Sequence, residues 1–214
     1  MSDTQNSSSH GKLIAAVVAA ALVVVLALIS AFVWPGWALN KNGQAGQAGQ
    51  TSQQASTSND TDGDRTEPTK PSIDAVALPD GASELLKAMP DSVLNYARTK
   101  ADASTTWSST SPVEEYALTY STGKKGQDVT LEVGQWNDGD KAKSQYDTLA
   151  EAMTGKELGS GNVKVSGKTT GAYSAKADPD DDTKAVAVWR NDTVVFYATG
   201  AKNDIQRFYQ QFPL

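Results

Sequence analysis

A long apolar segment near the N-terminus constrains this chain more than any other feature. From Leu13 to Trp34 there is no charged residue, and Ser30 carries the only hydroxyl group. As a helix, these 22 residues would cross the ~30 Å apolar core of a bilayer. The apolar part of a cleaved signal peptide is shorter, and Trp34 and Trp37 stand where interfacial tryptophans are common. Residues 13–34 are therefore predicted to form an uncleaved, single-pass transmembrane helix.

The arrangement of the chain around this helix suggests its topology. Residues 1–12 form a short tail that ends in Lys12, and the polar bulk of the chain follows the helix. Positive charge favours the cytoplasmic side of a membrane. We therefore expect a cell-membrane protein with a cytoplasmic N-terminus and an extracytoplasmic C-terminal domain.

Residues 35–75 have the composition of a disordered linker. Apart from two prolines, the stretch from Asn40 to Ser72 has no aliphatic or aromatic side chain larger than alanine, and it is rich in Gln, Ser, Thr, Gly and Asp. Such a segment cannot bury enough apolar surface to offset the entropy lost on ordering. We predict a flexible tether here, followed by one folded domain over residues 76–214.

Composition excludes several kinds of chemistry. The net charge of −6 disfavours attraction to phosphates, so no nucleic-acid partner is predicted. The chain lacks cysteine, which removes disulfides, thiolate nucleophiles and thiolate metal ligands. Its one histidine, His10, lies in the N-terminal tail, so the folded domain has no imidazole for a Ser-His-Asp triad. We predict no cofactor and no enzymatic activity.

The domain alternates between strand and helix patterns. Val129, Leu131 and Val133 have strand spacing, and the segments 185–190 and 193–199 flank the turn residues Asn191 and Asp192. Residues 91–103 fit either a helix or a strand. The predicted elements are a helix at 82–89, strands at 116–121, 128–136, 162–166, 171–177, 185–190 and 193–199, a helix after Asp138 with an apolar stripe to Met153, and a C-terminal helix carrying Ile205, Phe208, Tyr209 and Phe212.

These elements predict an α+β fold, namely an antiparallel sheet with helices mainly on one face. Two strands followed by a helix occur twice, at 116–153 and at 185–212, with DVTLEVG and DTVVFYATG in corresponding places. The pattern indicates either an internal pseudo-repeat or a common way of covering a sheet.

The general plan resembles a group of known proteins. One membrane helix, a Ser/Thr/Gln linker and one α+β domain carry the segments VGQW, VWRNDTVVFYATG and FYQQFPL. In this plan the chain is similar to small, single-pass, membrane-anchored envelope proteins of actinobacterial type. The resemblance implies an envelope location and transfers no functional residue.

Aromatic residues supply the candidate ligand-binding positions. A groove for a glycan or a peptide could be lined by Trp107, Trp136 and Trp189 together with Tyr116 and Tyr120. Packing of Trp136 and Trp189 in the core is the alternative, since both end a strand. Trp107, set among serines and threonines, is the one we expect to be exposed.

Carboxylates supply the remaining candidates. Glu114 and Glu115 are adjacent, but neighbours on a strand point to opposite faces and cannot converge on one bond. The acidic loop contains Asp178, Asp180 and Asp182, which are the residues that would have to bind calcium. A solvated loop explains the same residues, so no metal site and no catalytic residue is predicted.

Three functional hypotheses follow. The first is a membrane-tethered, extracytoplasmic, non-enzymatic domain that binds a protein, a peptide or a cell-wall component. The second is a hydrolase of envelope glycans that depends on two carboxylates. The third is a structural accessory subunit that joins a membrane complex through the helix from Leu13 to Trp34.

Overall fold

A computed structural model describes residues 68–213. The predicted tail, membrane helix and most of the linker lie outside these residues. Within 68–213, no helix has the length and apolar character needed to cross a membrane. Residues 68–75, assigned to the linker by the sequence, contact the domain: Ser72 donates a hydrogen bond to the Thr122 carbonyl, and the Pro68 carbonyl accepts one from Arg207.

The domain is built on one antiparallel sheet of eight strands, which confirms the predicted α+β class. The elements in chain order are α1 (Glu84–Ala88), β1 (Ser92–Val93), β2 (Tyr96–Ala103), a 3-10 turn (Ser108–Thr110), β3 (Glu114–Ser121), β4 (Asp128–Gln135), α2 (Gly139–Ala152), β5 (Glu157–Val165), β6 (Lys168–Ala177), β7 (Lys184–Asn191), β8 (Val194–Ala201) and α3 (Lys202–Gln211). The strands lie in the order β1-β2-β3-β4-β8-β7-β6-β5.

Local signals explain where the helices begin. The Ser83 hydroxyl accepts a hydrogen bond from the Leu86 N–H at the start of α1, and the Asp138 carboxylate accepts one from the Lys141 N–H at the start of α2. Each satisfies an amide that the helix itself leaves unpaired. The hairpin between β7 and β8 turns at Asp192, whose φ of 53° is left-handed, as the Asn-Asp sequence predicts.

The main core lies on what we call the front face of the sheet, the face covered by α1 and α3. Leu118, Leu131 and Phe196 of the sheet pack with Leu86 of α1 and Phe208 of α3, and each is at most 2% exposed. The buried guanidinium of Arg98 also lies on this side and fixes the segment that leads into the sheet.

A second core lies on the opposite, back face, beneath α2. Ala142 of α2 packs on Val188 and Val195, and the rings of Trp107 and Trp136 complete the cluster. Two of the three helices in residues 68–213 thus lie on the front face, and the longest, α2, covers the back. β7 and β8 carry apolar side chains in both directions, so both of their faces need cover.

The two strand–strand–helix units consequently differ. α2 covers the back face and α3 the front face, although β4 and β8 are adjacent and antiparallel. A two-fold axis that related these antiparallel strands within one sheet would leave both helices on the same face. The similarity of the two segments thus does not extend to where their helices pack.

Candidate functional site

An aromatic cleft lies on the front face, where β5, β6 and β7 meet α3. Its volume is about 290 Å³. None of the residues that line it is charged; they are Val163, Tyr173, Trp189, Tyr209, Gln210 and Phe212. A ligand entering it would therefore meet aromatic surface, two phenol hydroxyls and one carboxamide.

The base and the rim of the cleft have different environments. Trp189 is 3% exposed, stacks on Phe196 at 4.9 Å and meets the edge of Phe212 at 5.3 Å, so it is held rigidly. Tyr173 and Tyr209 are only half-buried, with ring centroids 5.7 Å apart and planes tilted by 35°. Half-buried tyrosines beside an apolar floor are well suited to a ligand that has both apolar and polar groups.

Two glycines of β5 make room for the tyrosine rings of the rim. A Cβ added to Gly161 would lie 2.9 Å from Cε1 of Tyr173, and one added to Gly159 would lie 3.3 Å from the Tyr209 hydroxyl. These two residues face the tyrosines across the front side of the strand. Any larger residue at 161 would force the Tyr173 ring to move.

A pair of carboxyl groups lies on the back face, away from the cleft. Glu115 on β3 is opposite Gly134, and Glu132 on β4 is opposite Ala117, so the two glutamates are diagonal neighbours on one face. Glu115 is 7% exposed, and its Oε2 accepts a hydrogen bond from the Trp107 N–H at 2.9 Å. Burial raises the pKa of Glu132, the Ser104 hydrogen bond lowers it, and the nearby charge of Glu115 raises it.

This carboxyl pair is closed to a substrate. Oε1 of Glu115 and Oε2 of Glu132 are buried and have no hydrogen-bond partner. A glycosidic oxygen would have to reach these atoms for acid-base chemistry to occur. With these two oxygens enclosed by protein, the pair is poorly placed to contact a ligand.

The five aromatic candidates from the sequence do not form one groove, and Trp189 is the one that lines the cleft. Trp107 is 7% exposed, Trp136 is 1% and Tyr120 is 0%, so the expectation that Trp107 is exposed is wrong. The rings of Trp107 and Trp136 lie 5.8 Å apart in the back core, whereas Tyr116 and Tyr120 belong to the front core. The polar neighbours of Trp107 suggested exposure, but its ring packs over Gly134, where no side chain intervenes.

The two tyrosines have structural partners. The Tyr120 hydroxyl donates to the Pro90 carbonyl at 2.9 Å. The Tyr116 hydroxyl lies 3.0 Å from Oγ of Ser83 and 2.9 Å from Oε2 of Glu114, and burial raises its pKa. Glu114 is thus bound on the front side and Glu115 on the back, so these adjacent carboxylates do not converge.

The acidic loop uses its carboxylates to close turns. Asp178 Oδ1 accepts hydrogen bonds from the backbone N–H groups of Asp180 and Asp181. The Thr183 hydroxyl bond lowers the pKa of Asp181, and Lys184 pairs with this carboxylate at 3.2 Å. Over residues 68–213 no three carboxylate, histidine or cysteine side chains lie close enough together to hold a metal ion, and the candidates Asp178, Asp180 and Asp182 do not form such a group.

Of the residues that line the cleft, only Trp189 was a groove candidate from the sequence. Tyr173 lies in a segment with weak strand character, and Tyr209 was assigned to the apolar stripe of a helix. The signal available in the sequence was the spacing of Gly159 and Gly161, which are two positions apart. Glycines at this spacing lie on the same side of a strand and leave space above it for other side chains.

Comparisons with known proteins give no functional lead. No protein-family model and no curated protein matches the chain. A solved structure, described as a GTP binding regulator from Thermotoga maritima, is similar over 55% of this chain and 78% of its own, with 11% identity and a TM-score of 0.35. A similarity this low carries no argument about function.

Proposed function

We propose that this protein is a binding module without catalytic activity, and that its ligand occupies the aromatic cleft. The observation that carries the proposal is the uncharged lining of the cleft, with a rigid tryptophan base and a half-buried tyrosine rim. Such a lining offers contact surface and hydrogen bonds but no carboxylate, imidazole, amine or thiol group. It therefore supports binding and gives no support to hydrolysis.

The size of the cleft bears on the kind of ligand. Sites for whole small molecules usually enclose about 300 to 1,000 Å³. At about 290 Å³, this cleft accommodates one side chain or one ring of a larger molecule. A protein, a peptide or a cell-wall polymer is consistent with that size.

We place this binding module on the outer side of a cell membrane. The proposal rests on the uncharged run from Leu13 to Trp34 and on the polar segment that follows it. The test is fractionation of cells expressing the full chain, with alkaline extraction of membranes and protease treatment of intact cells. Recovery in the soluble fraction, or a domain that protease cannot reach in cells with a permeabilised wall, would contradict this placement.

The binding proposal is tested with one cleft variant and one matched control. Tyr209→Ala removes a half-buried tyrosine of α3 from the rim, and Tyr146→Ala removes a half-buried tyrosine of α2 from the back face. The full chain and both variants are titrated with purified cell wall and with solubilised envelope proteins. Binding that only Tyr209→Ala abolishes supports the proposal. Equal binding by all three proteins, or no binding to either fraction, contradicts it.

A further inference from the structure

One edge of the sheet differs from the other in a way that bears on the ligand. β1 ends one side and has two residues, whereas β5 ends the other side and has nine. On its outer side, β5 has no partner strand among residues 68–213. Proteins usually keep edge strands short or interrupted, because the unpaired N–H and C=O groups of a long one attract another chain. A nine-residue edge is therefore a potential docking site for a strand.

The regular part of this edge coincides with the cleft. The register of β5 with β6 is irregular between Glu157 and Gly159 and again between Val163 and Lys164. Between these two points, residues 159–163 pair regularly, and this stretch contains both of the glycines below the tyrosine rim. A strand added here would project alternate side chains toward the front face, and no β5 side chain at Gly159 or Gly161 would separate them from the cleft.

We infer that the cleft is filled by an extended segment of another polypeptide, which pairs with β5 as a ninth strand and places one large apolar side chain against the rings of Tyr173 and Tyr209. This inference rests on the proposed binding function and names its ligand class. Main-chain hydrogen bonds along an edge give affinity, and a side-chain site beside it gives specificity.

Two other occupants lack the side chain that the cleft requires. Residues 40–67 of this chain have no aliphatic or aromatic side chain larger than alanine, so this segment cannot fill it. A second copy pairing through β5 would present Gly159, Gly161 and Val163 toward the front face. Leu158, the one leucine of β5, already packs against the front core of its own domain. The occupant we propose is therefore a different polypeptide.

The charge of the hairpin indicates a further feature of the partner. The described residues contain 16 Lys and Arg against 20 Asp and Glu, but β5 and β6 contain Lys164, Lys168 and Lys176 against Glu157 alone. The Lys176 ammonium is bound to the Met153 carbonyl, whereas Lys164 and Lys168 are exposed near the hairpin turn. The partner segment should therefore carry Asp or Glu at the end that lies beside this turn.

The test uses twelve-residue random peptides displayed on phage and selected on the full 214-residue chain. We expect the selected peptides to share one aromatic or leucine-sized residue with Asp or Glu on one side. Synthetic copies are then N-methylated at one amide at a time. Methylation at alternate amides should weaken binding about tenfold, with period two, because only one edge of the peptide pairs with β5.

Variants of the protein test the two specificity features. Gly161→Leu fills the cleft from below and should weaken binding about tenfold or more. The double variant Lys164→Glu, Lys168→Glu should weaken it, whereas the same change at the exposed Lys124 and Lys125 of the β3–β4 turn should not. The N-methyl series needs no variant, so it decides the question even if Gly161→Leu fails to fold.

The outcomes separate this inference from the proposed function. If no peptide is selected, or if N-methylation has no periodic effect, while cell wall still binds in a Tyr209-dependent way, the ligand is a polymer of another class and the inference is wrong. If neither peptides nor envelope fractions bind, the proposed function fails as well. Selection of peptides without a large apolar residue would also overturn the inference.

Discussion

The buried Arg98 is expected to be one of the main determinants of stability in this domain. Its guanidinium, 1% exposed on β2, donates hydrogen bonds to the carbonyls of Met89, Pro90 and Val76 at 3.0 to 3.1 Å. It also donates to the Asp91 carboxylate at 2.8 Å. One side chain therefore connects β2, the end of α1 and the strand-like segment that precedes α1.

Replacing Arg98 by Met keeps most of the apolar contact and removes every one of these bonds. The Met89 carbonyl is left buried without a partner, which costs about 1–3 kcal/mol, and the part-buried Val76 carbonyl adds about 1 kcal/mol because water reaches it incompletely. The Pro90 carbonyl keeps its hydrogen bond from the Tyr120 hydroxyl. We expect Arg98→Met to lower the free energy of unfolding by about 2–4 kcal/mol. For a domain of this size, that corresponds to a fall in Tm of roughly 4–16 °C.

The matched control is Asp91→Asn. The Asp91 side chain is 81% exposed, so its ion pair with Arg98 is screened by water and is worth about 0–1 kcal/mol. Urea unfolding of both variants, followed by tryptophan fluorescence, measures the two costs under the same conditions. If Arg98→Met lies within about 1 kcal/mol of the unsubstituted protein, or if Asp91→Asn costs as much, the carbonyl contacts are not what makes Arg98 important.

Three further predictions concern other parts of the domain. Phe208→Ala, at a fully buried position that contacts Tyr96 and Tyr120, should cost about 3–5 kcal/mol in urea unfolding, and a cost below about 1 kcal/mol would mean that α3 is not firmly packed. Ser83→Ala should lower stability by about 1 kcal/mol through loss of the α1 N-cap, whereas Ser83→Asp should restore it. Glu132 has a pKa raised above 4.5 in the folded state, so its protonated form is favoured by folding and its contribution to stability is lost as pH rises through that raised pKa. Glu132→Gln should therefore be more stable than the unsubstituted protein at pH values above that pKa, but not at lower pH. A difference in free energy of unfolding between the two proteins that is the same at every pH would contradict this.

The sequence predicted most of the sheet, because the central strands have strong local patterns. The hairpin of β3 and β4 follows from the alternation of Val129, Leu131 and Val133, and the hairpin of β7 and β8 follows from Asn191 and Asp192. Ser83 and Asp138, which cap α1 and α2, are residue types that favour helix N-caps. In these places the local pattern and the global fold agree, which is why reasoning from short windows is sufficient.

The ambiguous segment 91–103 shows where short windows fail. Leu94 and Tyr96 fit a strand and Val93 and Ala97 complete a helical stripe, so periodicity alone cannot decide. The structure resolves the segment into β1 and β2, with a left-handed φ of 52° at Leu94 between them. Pairing of β2 with β3 along most of its length outweighs the helical tendency, and that pairing is a long-range property.

The aromatic cleft escaped prediction for a related reason. Tyr173, Trp189 and Tyr209 come from three elements, and only the strand order brings them together. Each residue alone has the pattern of an ordinary core position. The feature that identifies the cleft is the space between these residues. In the sequence, that space is visible only as the low strand propensity of β5.

That weakness and the proposed function have the same physical origin. Leucine or valine in place of Gly159 and Gly161 would strengthen β5, since glycine costs entropy in a strand and offers nothing to pack. The same substitution would displace the rings of Tyr173 and Tyr209, which lie over the front side of β5. Under the proposed strand addition, these rings are what a side chain of the partner contacts. The two glycines are therefore positions at which β5 gives up strand propensity and makes room for an aromatic rim.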